Sequence, residues 1–108
     1  MAVDKAQSWT YAEQIVTENQ LAHEARTQAA ELGIDSLSPA TGHFLTALAS
    51  MAGVKHIAEV GTGTGVSGLY LLAASKDSVL TSIDIDSEAQ NHARNNFAAA
   101  RVRSGRYR

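Results

Sequence analysis

The sequence predicts an α/β protein in which N-terminal helices precede the first half of a doubly wound parallel sheet, truncated after its second strand and the following helix. One observation behind this prediction is the helical spacing of apolar residues through the first 53 positions. Another is the change, beyond them, to short β-rich runs that alternate with helical runs. We therefore divide the chain into a helical segment, residues 1–53, and a strand–helix–strand–helix unit, residues 54–108.

Two short helices are predicted at the beginning of the chain. Asn19 is a suitable N-cap for the second of them, and Gly33 is a suitable stop. We expect Trp9 and Tyr11 to take part in helix packing, with the lining of a substrate mouth as the alternative. The apolar positions that set the helical pattern are Ile15, Val16, Leu21, Ala25, Ala29 and Leu32.

A third helix is predicted from the stretch "SPATGHFLTALASMAG". Ser38 is in the N-cap position, Pro39 occupies the first helical position, and Gly53 ends the helix. The expected apolar face consists of Phe44, Leu45, Leu48 and Ala52.

The second part of the chain reads as strand, helix, strand and helix. The β-rich runs "KHIAEV" and "VLTSID" flank the helical run "GVSGLYLLAAS". The helix that follows contains Ser87 and Gln90 in an S-x-x-Q arrangement, which predicts a capping box. The final residues, "VRSGRYR", are typical of the approach to a third strand.

Composition predicts a soluble, cytoplasmic domain without membrane or nucleic-acid partners. With 44% hydrophobic and 19% charged residues, the chain of 108 residues has a globular profile. It has neither a signal-peptide pattern nor a long apolar run, and it has no cysteine for a disulfide or a thiol nucleophile. Residues 1–100 carry a net charge of −6, whereas four arginines lie in the last eight residues. Since no basic stripe accompanies this tail, we interpret it as a solvated connector rather than a nucleic-acid arm.

The stretch "AEVGTGTGVSG", residues 58–68, predicts a ligand site at the first strand-to-helix turn. Its glycines allow a tight turn and let a ligand approach bare backbone. A nucleotide-like cofactor is the first hypothesis, and a turn that needs glycine for packing alone is the alternative. Gly63, Gly65 and Gly68 also satisfy G-x-G-x-x-G, with Asp84 near the spacing of a ribose ligand, so a dinucleotide stays open.

"AEVGTGTGVSGLYLL" together with "LTSIDIDSEA" resembles the first two signature motifs of the class I S-adenosylmethionine-dependent methyltransferases. The likeness is to the small O-methyltransferases related to the catechol and caffeoyl-coenzyme-A enzymes, and "SLSPATGHFLTALA" is similar to their helix before the first strand. The resemblance spans residues 10–108. It implies a Rossmann-like sheet, S-adenosylmethionine as cofactor, and methyl transfer to a hydroxyl of a small-molecule acceptor.

The resemblance assigns roles around the loop. It implies that Gly61 and Thr62 offer backbone groups to the methionine part of the cofactor, while Gly63 and Gly65 keep the floor free of side chains. Ser67, at the start of the next helix, would bind the cofactor carboxylate.

Four further assignments follow from the same resemblance. Asp84 would accept hydrogen bonds from the ribose hydroxyls, and Ile85 would pack on the adenine. Glu59 would face the cationic end of the cofactor or orient the loop, and the backbone at Leu37 would touch the methionine end. Glu59 could instead cap N–H groups of the loop, and Asp84 could simply cap the next turn.

The resemblance also implies parts that this chain does not contain. Family members use a divalent cation, usually magnesium, whose ligands follow the fourth and fifth strands. We therefore expect the N-terminal cofactor half of a larger methyltransferase, inactive by itself, with a homodimer as one option for the full-length protein. A non-catalytic nucleotide-binding or interaction module, or half of an NAD-dependent oxidoreductase, are the alternatives.

Overall fold

The computed structural model describes residues 4–108 and shows helices followed by two parallel strands. This is the α/β class that the sequence predicts. A short 3-10 turn, Ser104–Arg106, lies near the end of the described chain. The elements in chain order are α1 (Lys5–Gln14), α2 (Gln20–Glu31), α3 (Pro39–Ala52), β1 (His56–Val60), α4 (Val66–Leu72), β2 (Val79–Ile83) and α5 (Ser87–Ala99).

Local capping residues set the ends of the N-terminal helices. The side chain of Asn19 accepts a hydrogen bond from the α2 backbone at 2.9 Å, and Ser38 does the same for α3 at 3.2 Å. Pro39 is the first residue of α3. Gly33 and Gly53 follow α2 and α3 with φ angles of 71° and 61°, a left-handed conformation that favours glycine. These predicted boundaries are confirmed.

The predicted apolar face of α3 is wrong. Phe44 and Leu48 are 61% and 46% exposed. The helix instead packs on α4 through Gly42, which lies against the ring of Tyr70, and through Thr46, whose hydroxyl donates to the Tyr70 carbonyl at 2.7 Å. Close contact between two helices requires small side chains. The face of α3 that contains Gly42 and Thr46 therefore packs on α4.

The N-terminal helix α1 differs from the expectation in the same way. Trp9 and Tyr11 are 66% and 67% exposed, and α1 buries no residue. Packing of these two aromatic side chains against other helices is therefore not found within residues 4–108. The α2 helix, by contrast, buries the alanines Ala22, Ala25 and Ala29.

The sheet is parallel, and its register runs from His56 opposite Val79 to Val60 opposite Ile83. On the other side of β2, the Arg108 N–H donates to the Leu80 carbonyl at 3.0 Å. Tyr107 thus forms an isolated parallel bridge with Leu80, next to the residues that the sequence predicts as the approach to a third strand. Among residues 4–108, β1 pairs with β2 alone.

The cap of α5 is Asp86 rather than the predicted Ser87. The Asp86 carboxylate accepts hydrogen bonds from the N–H groups of Glu88 and Ala89, at 2.9 and 3.2 Å. Gln90 donates its side-chain amide to the Asp84 carbonyl at 3.2 Å instead of closing a capping box. The Asp86 carboxylate is preferred over the Ser87 hydroxyl as the cap because its negative charge also interacts favourably with the positive end of the helix dipole.

A small residue is required where α4 crosses α5 and the sheet. A Cβ atom at Gly68 would lie 2.5 Å from the Phe97 ring and 3.1 Å from the Leu80 side chain. Both of these neighbours are buried.

We expect Gly68→Ala to lower the free energy of unfolding by roughly 1 to 3 kcal/mol, because the added methyl group overpacks a filled core. Gly105→Ala is the matched control, since its Cβ would meet no atom within 4 Å. Denaturant titration of both variants measures the difference, and equal stability would contradict the packing role of Gly68.

No helix between residues 4 and 108 combines the length and the apolar character needed to cross a membrane.

Candidate functional site

A cleft of about 390 Å³ opens beyond the carboxyl ends of β1 and β2, where doubly wound folds bind their ligands. Six of the nine predicted site residues line it: Leu37, Gly61, Thr62, Gly63, Ser67 and Asp84. The other residues around it are Ile34, Asp35, Ser36, Thr64, Val66 and Asp86.

The glycine loop between β1 and α4 turns tightly through left-handed conformations. Gly61, Gly63 and Gly65 have φ angles of 93°, 53° and 95°. A Cβ at Gly61 would meet no protein atom within 4 Å, so this residue faces open space. A Cβ at Gly65 would lie 3.0 Å from the ring of Phe97, which places Gly65 against α5 and outside the cleft lining.

Asp84 joins the loop after β1 to the turn after β2. One carboxylate oxygen accepts a hydrogen bond from the Gly63 N–H at 2.8 Å, and the other accepts from the Asp86 N–H at 2.9 Å. Both backbone donors lower the pKa of the Asp84 carboxyl below its usual value, and the Asp86 N–H contributes more than the Gly63 N–H. The Asp84 side chain is therefore ionised at neutral pH. Ile85, the next residue in the chain, is fully exposed.

Glu59 lies on β1, under the loop, and holds two hydroxyl groups. Its carboxylate accepts hydrogen bonds from Ser67 and from Ser82, the latter at 2.8 Å. Ser82 also shares a 2.7 Å hydrogen bond with Thr62. Glu59 thus links β1 to α4 and β2, while the carboxylate that accepts a hydrogen bond from a loop N–H belongs to Asp84.

Sequence reasoning missed Ser82. It lies opposite Glu59 in the parallel register, on the neighbouring strand. Once the two runs are aligned as adjacent strands, this pairing is the signal that could have found it.

Residues 34–37, between α2 and α3, form one wall of the cleft, and of these only Leu37 was predicted. The Ile34 side chain would be 3.7 Å from a Cβ at Gly63, so the wall lies close to the loop. The signal in the sequence is the short interval between the stop at Gly33 and the cap at Ser38.

The cleft is acidic. Asp35, Asp84 and Asp86 line it, and its lining contains no lysine or arginine. Opposite charges attract, so the cleft favours a ligand that carries positive charge together with hydrogen-bond donors.

Comparison with known sequences agrees with the motifs. A profile of the O-methyltransferase family matches residues 8–104. A protein of Mycolicibacterium smegmatis named as an O-methyltransferase is 42% identical over 100 residues, which cover 92% of this chain and 48% of that protein. A protein of Mycobacterium tuberculosis with the same kind of name is 44% identical, over 93% of this chain and 45% of its own length. The chain thus spans about half the length of these relatives.

Solved structures show the same fold. A Corynebacterium glutamicum protein superposes with a TM-score of 0.83 at 31% identity, over 95% of this chain and 50% of that one. The O-methyltransferase TomG of Streptomyces achromogenes, solved with S-adenosylmethionine, gives a TM-score of 0.81 at 22% identity, covering 98% and 51%. A Bacillus cereus O-methyltransferase, solved with S-adenosylhomocysteine, gives 0.79 at 22% identity, covering 91% and 46%. On the extent of the profile match and the shared fold, this chain belongs to the O-methyltransferase family.

Proposed function

We propose that the cleft binds S-adenosylmethionine, and that the chain supplies the cofactor-binding part of an enzyme that methylates a hydroxyl of a small molecule. The observation that carries this proposal is the pairing of the left-handed glycine loop with the ionised Asp84 at one edge of the sheet. Two fold neighbours, from Streptomyces achromogenes and Bacillus cereus, were solved with S-adenosylmethionine and S-adenosylhomocysteine.

The adenosine end of the cofactor is proposed to lie at Asp84 and Ile85. Both Asp84 oxygens already accept a backbone N–H, and a carboxylate oxygen has a second lone pair with which it can accept a ribose hydroxyl. The exposed Ile85 side chain offers an apolar surface to the adenine.

The methionine end is proposed to lie between Leu37 and the loop residues Gly61 and Thr62. Gly61 leaves open space for the ligand chain. The Ser67 hydroxyl donates its hydrogen bond to Glu59. We therefore expect the backbone N–H of Ser67 to bind the cofactor carboxylate. The acidic lining suits the positive ammonium and sulfonium groups.

Methyl transfer from a sulfonium is an in-line displacement, in which the acceptor oxygen attacks the methyl carbon opposite the sulfur. In this proposal the described residues contribute positioning. They hold the cofactor so that its methyl group faces the acceptor oxygen. Among residues 4–108, no three His, Cys, Asp or Glu side chains are grouped so that they could hold a metal ion.

Calorimetric titration with S-adenosylhomocysteine tests the proposal, with NAD as the control ligand. We expect one molecule of S-adenosylhomocysteine to bind per chain and NAD to bind at least ten times more weakly, about 1.4 kcal/mol. NAD binding with no response to S-adenosylhomocysteine would favour the oxidoreductase alternative. A folded protein that binds neither ligand would favour the interaction module.

A further inference from the structure

An arginine on α2 holds the wall of the cleft. The Nη1 atom of Arg26 donates a hydrogen bond to the carbonyl oxygen of Leu37 at 2.5 Å. Leu37 lies in the stretch between α2 and α3, which has no helix or strand structure of its own. The contact therefore fixes the backbone at one point of the cleft wall.

The guanidinium of Arg26 is in turn held by a carboxylate. Its Nε and Nη2 atoms donate to the two oxygens of Glu18, at 2.9 and 2.8 Å. This is the bidentate geometry in which arginine binds carboxylates most specifically. The side chains of Arg26 and Glu18 are 25% and 8% exposed, so solvent reaches the pair only in part.

The cluster extends to α4 through Tyr70. The Tyr70 hydroxyl donates to Glu18 at 2.6 Å, and α4 begins at the end of the glycine loop. The hydrogen bond from Arg26 lowers the pKa of the Glu18 carboxyl, whereas burial and the adjacent Glu18 raise the pKa of the Tyr70 hydroxyl. At neutral pH the cluster therefore consists of a carboxylate, a guanidinium and a neutral phenol.

We propose that Arg26, held by Glu18, which Tyr70 holds in turn, is a positioning residue that sets the distance between the Leu37 wall and α4 for the amino-acid end of the cofactor. This inference rests on the proposed function of the cleft. Arg26 does not line the cleft and acts through the Leu37 backbone.

The proposal separates the two ends of the ligand. The Leu37 wall is assigned to the methionine end, while Asp84 and Ile85, after β2, are assigned to the adenosine end. Loss of the guanidinium leaves the Leu37 carbonyl without the Arg26 donor and Glu18 without its cation, so the wall shifts. The hydrogen bonds of Asp84 to Gly63 and Asp86 involve none of these groups.

The test compares two ligands on Arg26→Met, which keeps most of the side-chain stem. S-adenosylhomocysteine carries the amino-acid group, and 5′-methylthioadenosine lacks it. We expect the affinity for S-adenosylhomocysteine to fall roughly 2- to 30-fold, the range for residues that act on a site indirectly. The affinity for 5′-methylthioadenosine should change less than about 2-fold, within that same lower bound.

Two further variants complete the experiment. Arg103→Met, at an exposed arginine ahead of the 3-10 turn, is the matched control and should leave both affinities unchanged. Tyr70→Phe keeps the ring packed on Gly42 and removes only the hydroxyl, so it tests the cluster if Arg26→Met fails to fold.

Equal losses for the two ligands, or an unchanged affinity for S-adenosylhomocysteine in both cluster variants, would overturn the positioning role. A wild-type protein that binds neither ligand would instead contradict the proposed function itself.

Discussion

Gly61→Val is expected to weaken the binding of S-adenosylhomocysteine by roughly 100-fold or more, about 2.7 kcal/mol, while the helices stay folded. A Cβ at this position would meet no protein atom within 4 Å, so the isopropyl group occupies space that we assign to the methionine end of the ligand. Calorimetric titration measures the loss, and circular dichroism shows whether the helices remain.

The backbone complicates this variant, because valine is strained at the Gly61 φ angle of 93°. Such strain is expected to lower the free energy of unfolding by about 1 to 3 kcal/mol. Gly53→Val separates the two effects. Gly53 also has a positive φ, 61°, and open space around it, but it ends α3, away from the cleft lining. If both variants bind the ligand as the wild type does, the loop does not hold the cofactor.

Asp84→Ala is expected to weaken S-adenosylhomocysteine binding by roughly 10- to 150-fold, the effect of losing hydrogen bonds to a charged group, about 1.5 to 3 kcal/mol. The change also removes the acceptor for the N–H groups of Gly63 and Asp86, so the loop and the turn lose the carboxylate that joins them. Titration of the variant measures the affinity, and thermal unfolding measures the loss of stability.

Lowering the pH should reproduce, in the wild type, part of the loss of stability that Asp84→Ala causes. The folded pKa of Asp84 is lowered, so its stabilising contribution is present above the unfolded value, about 3.9, and is lost as the pH falls through the folded value. The stability difference between the wild type and Asp84→Ala should therefore shrink in that acidic range. Asp77→Ala, at an exposed acid before β2, is the matched control.

Unchanged affinity in Asp84→Ala would show that the ribose assignment is wrong.

The features that the sequence predicted are local ones. Asn19, Ser38 and the glycines at 33 and 53 define helix ends because capping depends on a few neighbouring residues. The glycine loop is equally local, since its positive φ angles are accessible mainly to glycine. For the same reason, the error at Ser87 was small: the competing cap, Asp86, is one residue away.

Contacts between distant residues were beyond sequence reasoning. The apolar pattern of α3 indicated Phe44 and Leu48, but the choice of face depends on how closely α3 approaches Tyr70. The bond from Tyr70 to Glu18 joins residues that are 52 positions apart. No periodicity or motif in one sequence reports such a pair, because it arises only when separate elements pack together.

The pairing of β1 has a consequence for how the protein behaves at high concentration. Within the described sheet, the outer side of β1 presents the N–H and C=O groups of a short strand to any other strand that reaches it, and Val60 is 88% exposed at its end. Open strand edges of this kind promote edge-to-edge association and aggregation. Lys55, an exposed residue just before the strand, is a charge of the kind that opposes such association. Covering the outer side of this five-residue strand is therefore expected to reduce edge-to-edge association of the described sheet.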